Sequence, residues 1–309
     1  MKDIISIVVP VYGCSLALSE LYRRVKETIT KMDLDFELIL VNDASPDNSW
    51  EIITEIANQD NRVIGIKLSR NFGQHKAITA GLNHSKGDYI VFMDCDLQDK
   101  PEDILIMYNS LKENNTDIVF TERNERNQQQ YRKIISFLYF KLFALFSDVK
   151  YSQSNGSLVM FSSKVKSNFL KINDVDRAYI PILKWLGFSY SIVRVAHDKR
   201  FSGKSSYSFR KLLNVAIQSW TSYSEKLLNY SIVTGFVFSI IALLYATLII
   251  YNYLHSSVQP GWTSLIVVVL LSTGLILISI GIVGIYIGKT FEQSKNRPLF
   301  IVDKTLNYD

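Results

Sequence analysis

The chain has 309 residues, 34 Lys and Arg against 29 Asp and Glu, and a formal net charge of +5. So small an excess points away from nucleic acid and toward anionic head groups at a membrane edge. Two cysteines, Cys14 and Cys95, are too few for a disulfide framework and read as reduced cytosolic thiols, and the scattered His75, His84, His197 and His255 do not make a zinc spacing.

In chain order, Ile4 to Val9 is a β-branched run that should form a central strand ending at Pro10. Leu18, Leu21, Val25 and Ile29 recur at helical spacing and predict a helix over 16–32. A second strand is expected over 36–41, a helix around Trp50 to Ala57, a third strand over 62–68, a helix over 74–83 and a fourth strand over 88–93. Then follow a helix over 103–111, a strand over 117–121, an aromatic helix over 131–146, and strands over 158–161 and 190–195. Strands alternating with helices at this spacing predict an α/β fold, a mostly parallel sheet with helices on both faces.

From Leu227 to Gly288 there is no Asp, Glu, Lys or Arg. A bilayer takes roughly 20 apolar residues per crossing, so this run should cross twice, over 230–253 and 264–288, with the polar break at 252–261 between them. An amphipathic juxtamembrane helix is expected over 209–228, leaving 1–208 as the amino-terminal domain, 229–288 as the membrane pair and 289–309 as a tail. Lys and Arg flank both spans and are missing from their connecting loop, which places the amino-terminal domain and the tail on the cytoplasmic side. Met1 leads straight into a strand-like segment, with no signal-peptide pattern.

The chemistry concentrates in Asp94-Cys95-Asp96-Leu97-Gln98-Asp99, immediately after the fourth strand. Ligands of open parallel sheets bind beyond the carboxyl ends of the strands. Two carboxylates two residues apart, with an amide oxygen two further on, suit a hard divalent cation that also takes substrate phosphates. Tyr12, Asp43 and Arg70 end neighbouring strands and should gather along the same edge. A basic loop, Arg200 to Tyr207, precedes the membrane segment and could hold a phosphate.

Taken in order, Val8-Val9-Pro10-Val11-Tyr12, Val41-Asn42-Asp43-Ala44-Ser45, Arg70-Asn71-Phe72-Gly73-Gln74, Asp94 to Asp99, Arg200-Phe201-Ser202-Gly203-Lys204-Ser205, Pro260-Gly261-Trp262 and Arg297 to Val302 resemble the polyprenyl-phosphate glycosyltransferases of inverting glycosyltransferase family 2. That group includes the dolichol-phosphate mannose synthases and the bactoprenol glucosyltransferases. The resemblance implies a GT-A (Rossmann-like) fold, with Pro10, Tyr12, Asp43, Arg70 and Asp94 around the nucleotide sugar. It implies Mg²⁺ or Mn²⁺ on Asp94, Asp96 and Gln98, and a lipid phosphate received by Arg123, Arg132, Arg200, Lys204 and Ser205. Asp96, Arg132 and Arg200 would carry catalysis. The implied reaction moves a sugar, UDP-glucose being the donor of the bactoprenol subgroup, to undecaprenyl phosphate at the cytoplasmic face of a bacterial inner membrane, in a homo-oligomer, a tetramer in related enzymes.

Two positions depart from the family pattern. Gly13-Cys14 stands where relatives have Asn-Glu, and Gly156-Ser157 where the bactoprenol subgroup has Gly-Asp, whose aspartate is proposed there as general base. A lipid monophosphate has a second pKa near 6 and is already largely anionic at neutral pH, so the loss of a base at Ser157 is compatible with a phosphate acceptor. The competing readings are a processive polysaccharide synthase, which would need a Gln-x-x-Arg-Trp element that the chain lacks, and a catalytically silent scaffold that binds nucleotide sugar or lipid.

Overall fold

The computed structural model describes residues 2–123, 155–196, 226–255 and 261–308. They fall into two compact units, one of 2–123, 155–196 and 297–308 and one of 226–255 and 261–296.

The first unit is one eight-stranded sheet. In chain order it comprises β1 (Ile4–Val11), α1 (Ser15–Lys31), β2 (Asp35–Asn42), α2 (Ser49–Gln59), β3 (Val63–Leu68), α3 (Gln74–His84), β4 (Tyr89–Phe92) and α4 (Asp103–Asn114). Then come β5 (Ile118–Arg123), β6 (Asn155–Ser162), α5 (Ser163–Leu170), α6 (Tyr179–Trp185), β7 (Tyr190–Val195) and, after the second unit, β8 (Val302–Leu306). The spatial order is β7-β5-β6-β4-β1-β2-β3-β8. Pairings β1–β2, β1–β4, β2–β3 and β5–β7 are parallel, whereas β6 runs antiparallel to β4 and β5, and β8 antiparallel to β3.

The central strands are buried on both faces. Ile5, Ile7, Val9, Leu38 and Leu40 pack toward α1, α2 and α4, while Val8, Ile39, Val41, Ile66 and Phe92 pack toward α3, α5 and α6. This is why β1 and β2 read as unbroken apolar runs rather than alternating ones. At Gly81 a β-carbon would lie 2.5 Å from Val8 Cγ1, so only glycine lets α3 settle this close to the sheet.

Three sequence expectations change. First, β1 does not stop at Pro10: it continues to Val11, which lies in register with Asn42 of β2. Pairing of β1 with β4 ends at Val8 and Phe92, so the missing N–H of Pro10 falls where those two strands part. Second, Cys14 and Cys95 are not free thiols but are joined in a disulfide, with 6.3 Å between their α-carbons. They are 81 residues apart in sequence, yet each lies just past the carboxyl end of one of two adjacent parallel strands. Third, β8 was not anticipated in the tail. It is a short edge strand whose central residues Asp303, Lys304 and Thr305 are exposed, so only Val302 and Leu306 carry an apolar signal.

The second unit consists of α7 (Lys226–His255) and α8 (Trp262–Ser294), which pack against each other. Both are long and apolar enough to cross a membrane, with candidate windows Leu228–Tyr245 and Leu271–Ser294. The helices outrun the expected spans 230–253 and 264–288, because neither Lys226 at one end nor the polar turn from Lys289 to Ser294 at the other contains a helix breaker. The aromatic helix over 131–146 and the juxtamembrane segment 209–225 lie outside the described residues.

Candidate active site

The order of the sheet reverses at β1: β2 and β3 follow on one side, and β4 returns to the other. This switch point leaves a crevice beyond the carboxyl ends of β1 and β4, the usual ligand position in such sheets. The loop 94–99 forms its β4 side.

Along that loop burial alternates. Cys95, Leu97 and Asp99 are buried, whereas Asp94, Asp96 and Gln98 are partly exposed. Leu97 has φ of 57°, a left-handed conformation that is costly for a branched side chain, and its side chain sits in the core beside α1 and α4. The turn therefore turns the apolar residues inward and leaves the two carboxylates and the amide nearest solvent. Asp96 Oδ1 accepts the Gln98 N–H at 3.1 Å, a local Asx turn that shapes the loop. Asp94 Oδ1 accepts from the Gln74 side-chain amide, at the start of α3, at 2.6 Å.

The β1 and β2 ends form the opposite side. Tyr12 is 54% exposed. Gly13, with φ of 69°, donates its N–H to Ser45 Oγ at 2.8 Å. Asp47 accepts from the hydroxyls of Ser45 and Ser49 and from the N–H groups of Ser15 and Ser49, so one carboxylate joins the β2–α2 turn to the start of α1. Burial alone would raise its pKa, but these four donors outweigh that and lower it to about 2.

Asp43, at the end of β2, is buried, and both of its oxygens are engaged: Oδ1 accepts the Phe72 N–H at 2.7 Å and Oδ2 the Gly73 N–H at 2.9 Å. Burial raises its pKa, partly offset by those two N–H groups. Asp43 thus fixes the loop after β3, on which the Arg70 guanidinium lies 4.6 Å from the Phe72 ring centroid. Gly73 has φ of 94°, which lets the loop enter α3 and aim Gln74 at Asp94.

Pro10, Tyr12, Asp43, Arg70, Asp94, Asp96 and Gln98 all lie on β1–β4 or the segments just past their carboxyl ends. Arg123 closes β5, and its side chain lies outside the description. Arg132, Arg200, Lys204 and Ser205 lie outside the described residues. Gln74 and Asp47 were not anticipated as site residues. The first belongs to the motif Arg70 to Gln74; the second makes three local bonds within its own turn, and only its bond from the Ser15 N–H joins segments distant in sequence.

Among the described residues there is no group of three or more His, Cys, Asp or Glu that would hold an ion alone. A pair of partly exposed carboxylates with an amide oxygen instead fits Mg²⁺ or Mn²⁺, which keep waters and complete their shell with substrate phosphates.

A mostly parallel core with an acidic loop at the switch point is the architecture of an α/β enzyme whose ligands meet the sheet at its strand ends. The family model "Glycosyl transferase family 2" matches residues 6–165, and the chain belongs to that family. Full-length relatives agree. The "Uncharacterized glycosyltransferase YkcC" of Bacillus subtilis is 35% identical over 97% of this chain and 93% of its own length. A "Prophage bactoprenol glucosyl transferase homolog" of Escherichia coli is 30% identical over 97% and 98%. The "Undecaprenyl-phosphate 4-deoxy-4-formamido-L-arabinose transferase" of Proteus mirabilis is 31% identical over 98% and 94%. Among solved structures, the glucosyl-3-phosphoglycerate synthase of Mycobacterium tuberculosis, crystallised with Mn²⁺, UDP-glucose and phosphoglyceric acid, shares the fold with a TM-score of 0.52 at 16% identity, covering 71% of this chain and 78% of that one. The protein is a glycosyltransferase of GT-A architecture.

Proposed function

We propose that this glycosyltransferase moves a sugar from a nucleoside diphosphate sugar, UDP-glucose by preference, to undecaprenyl phosphate at the cytoplasmic face of a bacterial inner membrane. The observation that carries the reading is the loop 94–99, which holds three partly exposed oxygen-bearing side chains, Asp94, Asp96 and Gln98, at the switch point of a sheet whose chain continues through two membrane-length apolar helices. The names of the full-length relatives, bactoprenol and undecaprenyl-phosphate transferases, support the acceptor.

In this reaction a phosphate oxygen of the lipid attacks the anomeric carbon, and the bond from that carbon to the diphosphate oxygen breaks with inversion. The attacking oxygen is already anionic at neutral pH, so no side chain need remove a proton from it. Asp94, Asp96 and Gln98 would hold Mg²⁺ or Mn²⁺, which neutralises charge on the departing diphosphate. Tyr12 and the Arg70 loop, held by Asp43, would line the nucleotide. Arg123, Arg132, Arg200, Lys204 and Ser205 would receive the lipid phosphate, bringing two anionic reactants together by position and charge.

Topology supports an even number of crossings independently of flanking charge, while the flanking Lys and Arg alone point to the cytoplasmic side. The strand β8, which follows α8, completes the same sheet as β1 to β7, so the chain must return to the side from which it left. The implied tetramer has room on α8, where Gly274, Gly281, Gly284 and Gly288 have nothing within 4 Å of a built β-carbon, and helices can approach closely at such positions. Cross-linking in membranes that yields monomer alone would overturn the oligomer.

The test of function is the purified full chain with polyprenyl phosphate, Mn²⁺ and a panel of labelled nucleotide sugars. A single-sugar lipid product is expected, with UDP-glucose preferred. Absence of lipid-linked product from every donor would overturn the proposal, and polymer longer than one sugar would favour a processive synthase.

A further inference from the structure

Ser157 stands where the bactoprenol subgroup has an aspartate, and its hydroxyl has a defined partner. Phe92 of β4 pairs with Val159 of β6 in antiparallel register, so Ser157 lies two residues further along β6, past the end of β4 and beside the loop 94–99. Its Oγ donates to Asp99 Oδ2 at 2.5 Å, and Asp99 is the buried residue that ends that loop. The Ser157 carbonyl accepts from the Tyr179 hydroxyl at 2.9 Å. The Tyr179 ring meets Phe92 edge-on at 5.4 Å and His75 edge-on at 5.5 Å. His75 directly follows Gln74, whose amide holds Asp94.

These contacts close a circuit. It leaves the loop at Asp94, passes through the start of α3 and Tyr179 to Ser157, and re-enters the loop at Asp99. The strand at Ser157 has little freedom to shift. On one side of it, a β-carbon on Gly156 would fall 2.1 Å from Thr121 Oγ1; on the other, that hydroxyl donates to the Leu158 carbonyl at 2.7 Å.

We infer that Ser157 and Asp99 are positioning residues for the metal loop: their hydrogen bond fixes the far end of 94–99 and thereby the aim of Asp96 and Gln98. Ser157 then contributes to cation affinity and takes no part in proton transfer. The inference rests on the reading of Asp94, Asp96 and Gln98 as cation ligands. Residues that orient ligands from behind typically change metal affinity about 10- to 100-fold when removed.

The experiment titrates Mn²⁺ alone into the detergent-purified full chain and follows the free ion by electron paramagnetic resonance. Ser157→Ala should weaken Mn²⁺ binding roughly tenfold, and Ser157→Thr, which keeps the hydroxyl, should restore it. Asp99→Ala should weaken binding as well, and the Ser157→Ala/Asp99→Ala double variant should be little worse than the weaker single variant, because both remove one interaction. In transfer assays the Ser157→Ala defect should appear as a raised Mn²⁺ requirement, with kcat at saturating Mn²⁺ within about threefold of the parent. Wild-type protein that binds Mn²⁺ while Ser157→Ala binds it equally well would overturn the positioning role alone. Wild-type protein that binds no Mn²⁺ would overturn the cation site itself. A kcat defect that persists at saturating Mn²⁺ in Ser157→Ala and is cured by Ser157→Thr would make the hydroxyl part of the chemistry and refute the inference.

Discussion

At the scale of single residues, the site is a set of side chains whose roles follow from which way a tight loop turns. Asp96 and Gln98 project from the crevice side of 94–99 because Leu97 between them is anchored in the core. Asp96→Ala should therefore lower transfer at least about 10²-fold, measured as lipid-linked product under saturating donor, since a charge that stabilises the leaving group would be lost. Asp47 makes a separate prediction in pH. Its folded pKa of about 2 lies below the ordinary 3.8, so its stabilising effect is complete above about pH 4 and disappears as pH falls through 2. Asp47→Asn should lower stability at pH 7 by about 1 kcal/mol, because solvent screens a partly exposed carboxylate and reduces what the shift alone would give, and should flatten the acid limb of the unfolding profile, followed by tryptophan fluorescence.

At the scale of elements, the carboxyl-terminal strand is an unexpected support. The Ile301 carbonyl accepts the N–H of Ser69, the residue before Arg70, so the segment leading into β8 steadies the approach to the nucleotide loop. Asn307, in a left-handed turn with φ of 56°, donates its side-chain amide to the carbonyls of Ala57 and Val63. Asn307→Ala would leave both carbonyls without that donor and should cost about 1–2 kcal/mol, read as a fall in the thermal midpoint of the detergent-solubilised protein. The disulfide joins the segments after β1 and β4 beneath the crevice. Protein purified without reductant should expose no thiol to maleimide after denaturation and two after reduction, because the chain holds only Cys14 and Cys95.

At the scale of the whole molecule, two membrane-length helices are inserted between the seventh and eighth strands of one sheet. An even number of crossings follows if both helices span. With Cys14 and Cys95 replaced by serine, Ser257→Cys in the connecting loop should react with a membrane-impermeant maleimide on intact cells. Asp303→Cys in β8 should react only after permeabilisation. Labelling of Asp303→Cys from outside would reverse the orientation read from the flanking Lys and Arg.

The limits of sequence reading follow the range of each interaction. Helix and strand periodicity, the charge-free run, the spacing of Asp94, Asp96 and Gln98 and the ordered family motifs are local, and they were enough to identify an α/β glycosyltransferase with two apolar spans. The tertiary structure decided which distant residues meet: Cys14 with Cys95, Asp43 with the Phe72 and Gly73 amides, Gln74 with Asp94, Ser157 with Asp99, and β8 with β3. Each of these depends on strand order, and strand order is fixed by how two buried faces are filled at once, a constraint that no single stretch of sequence contains.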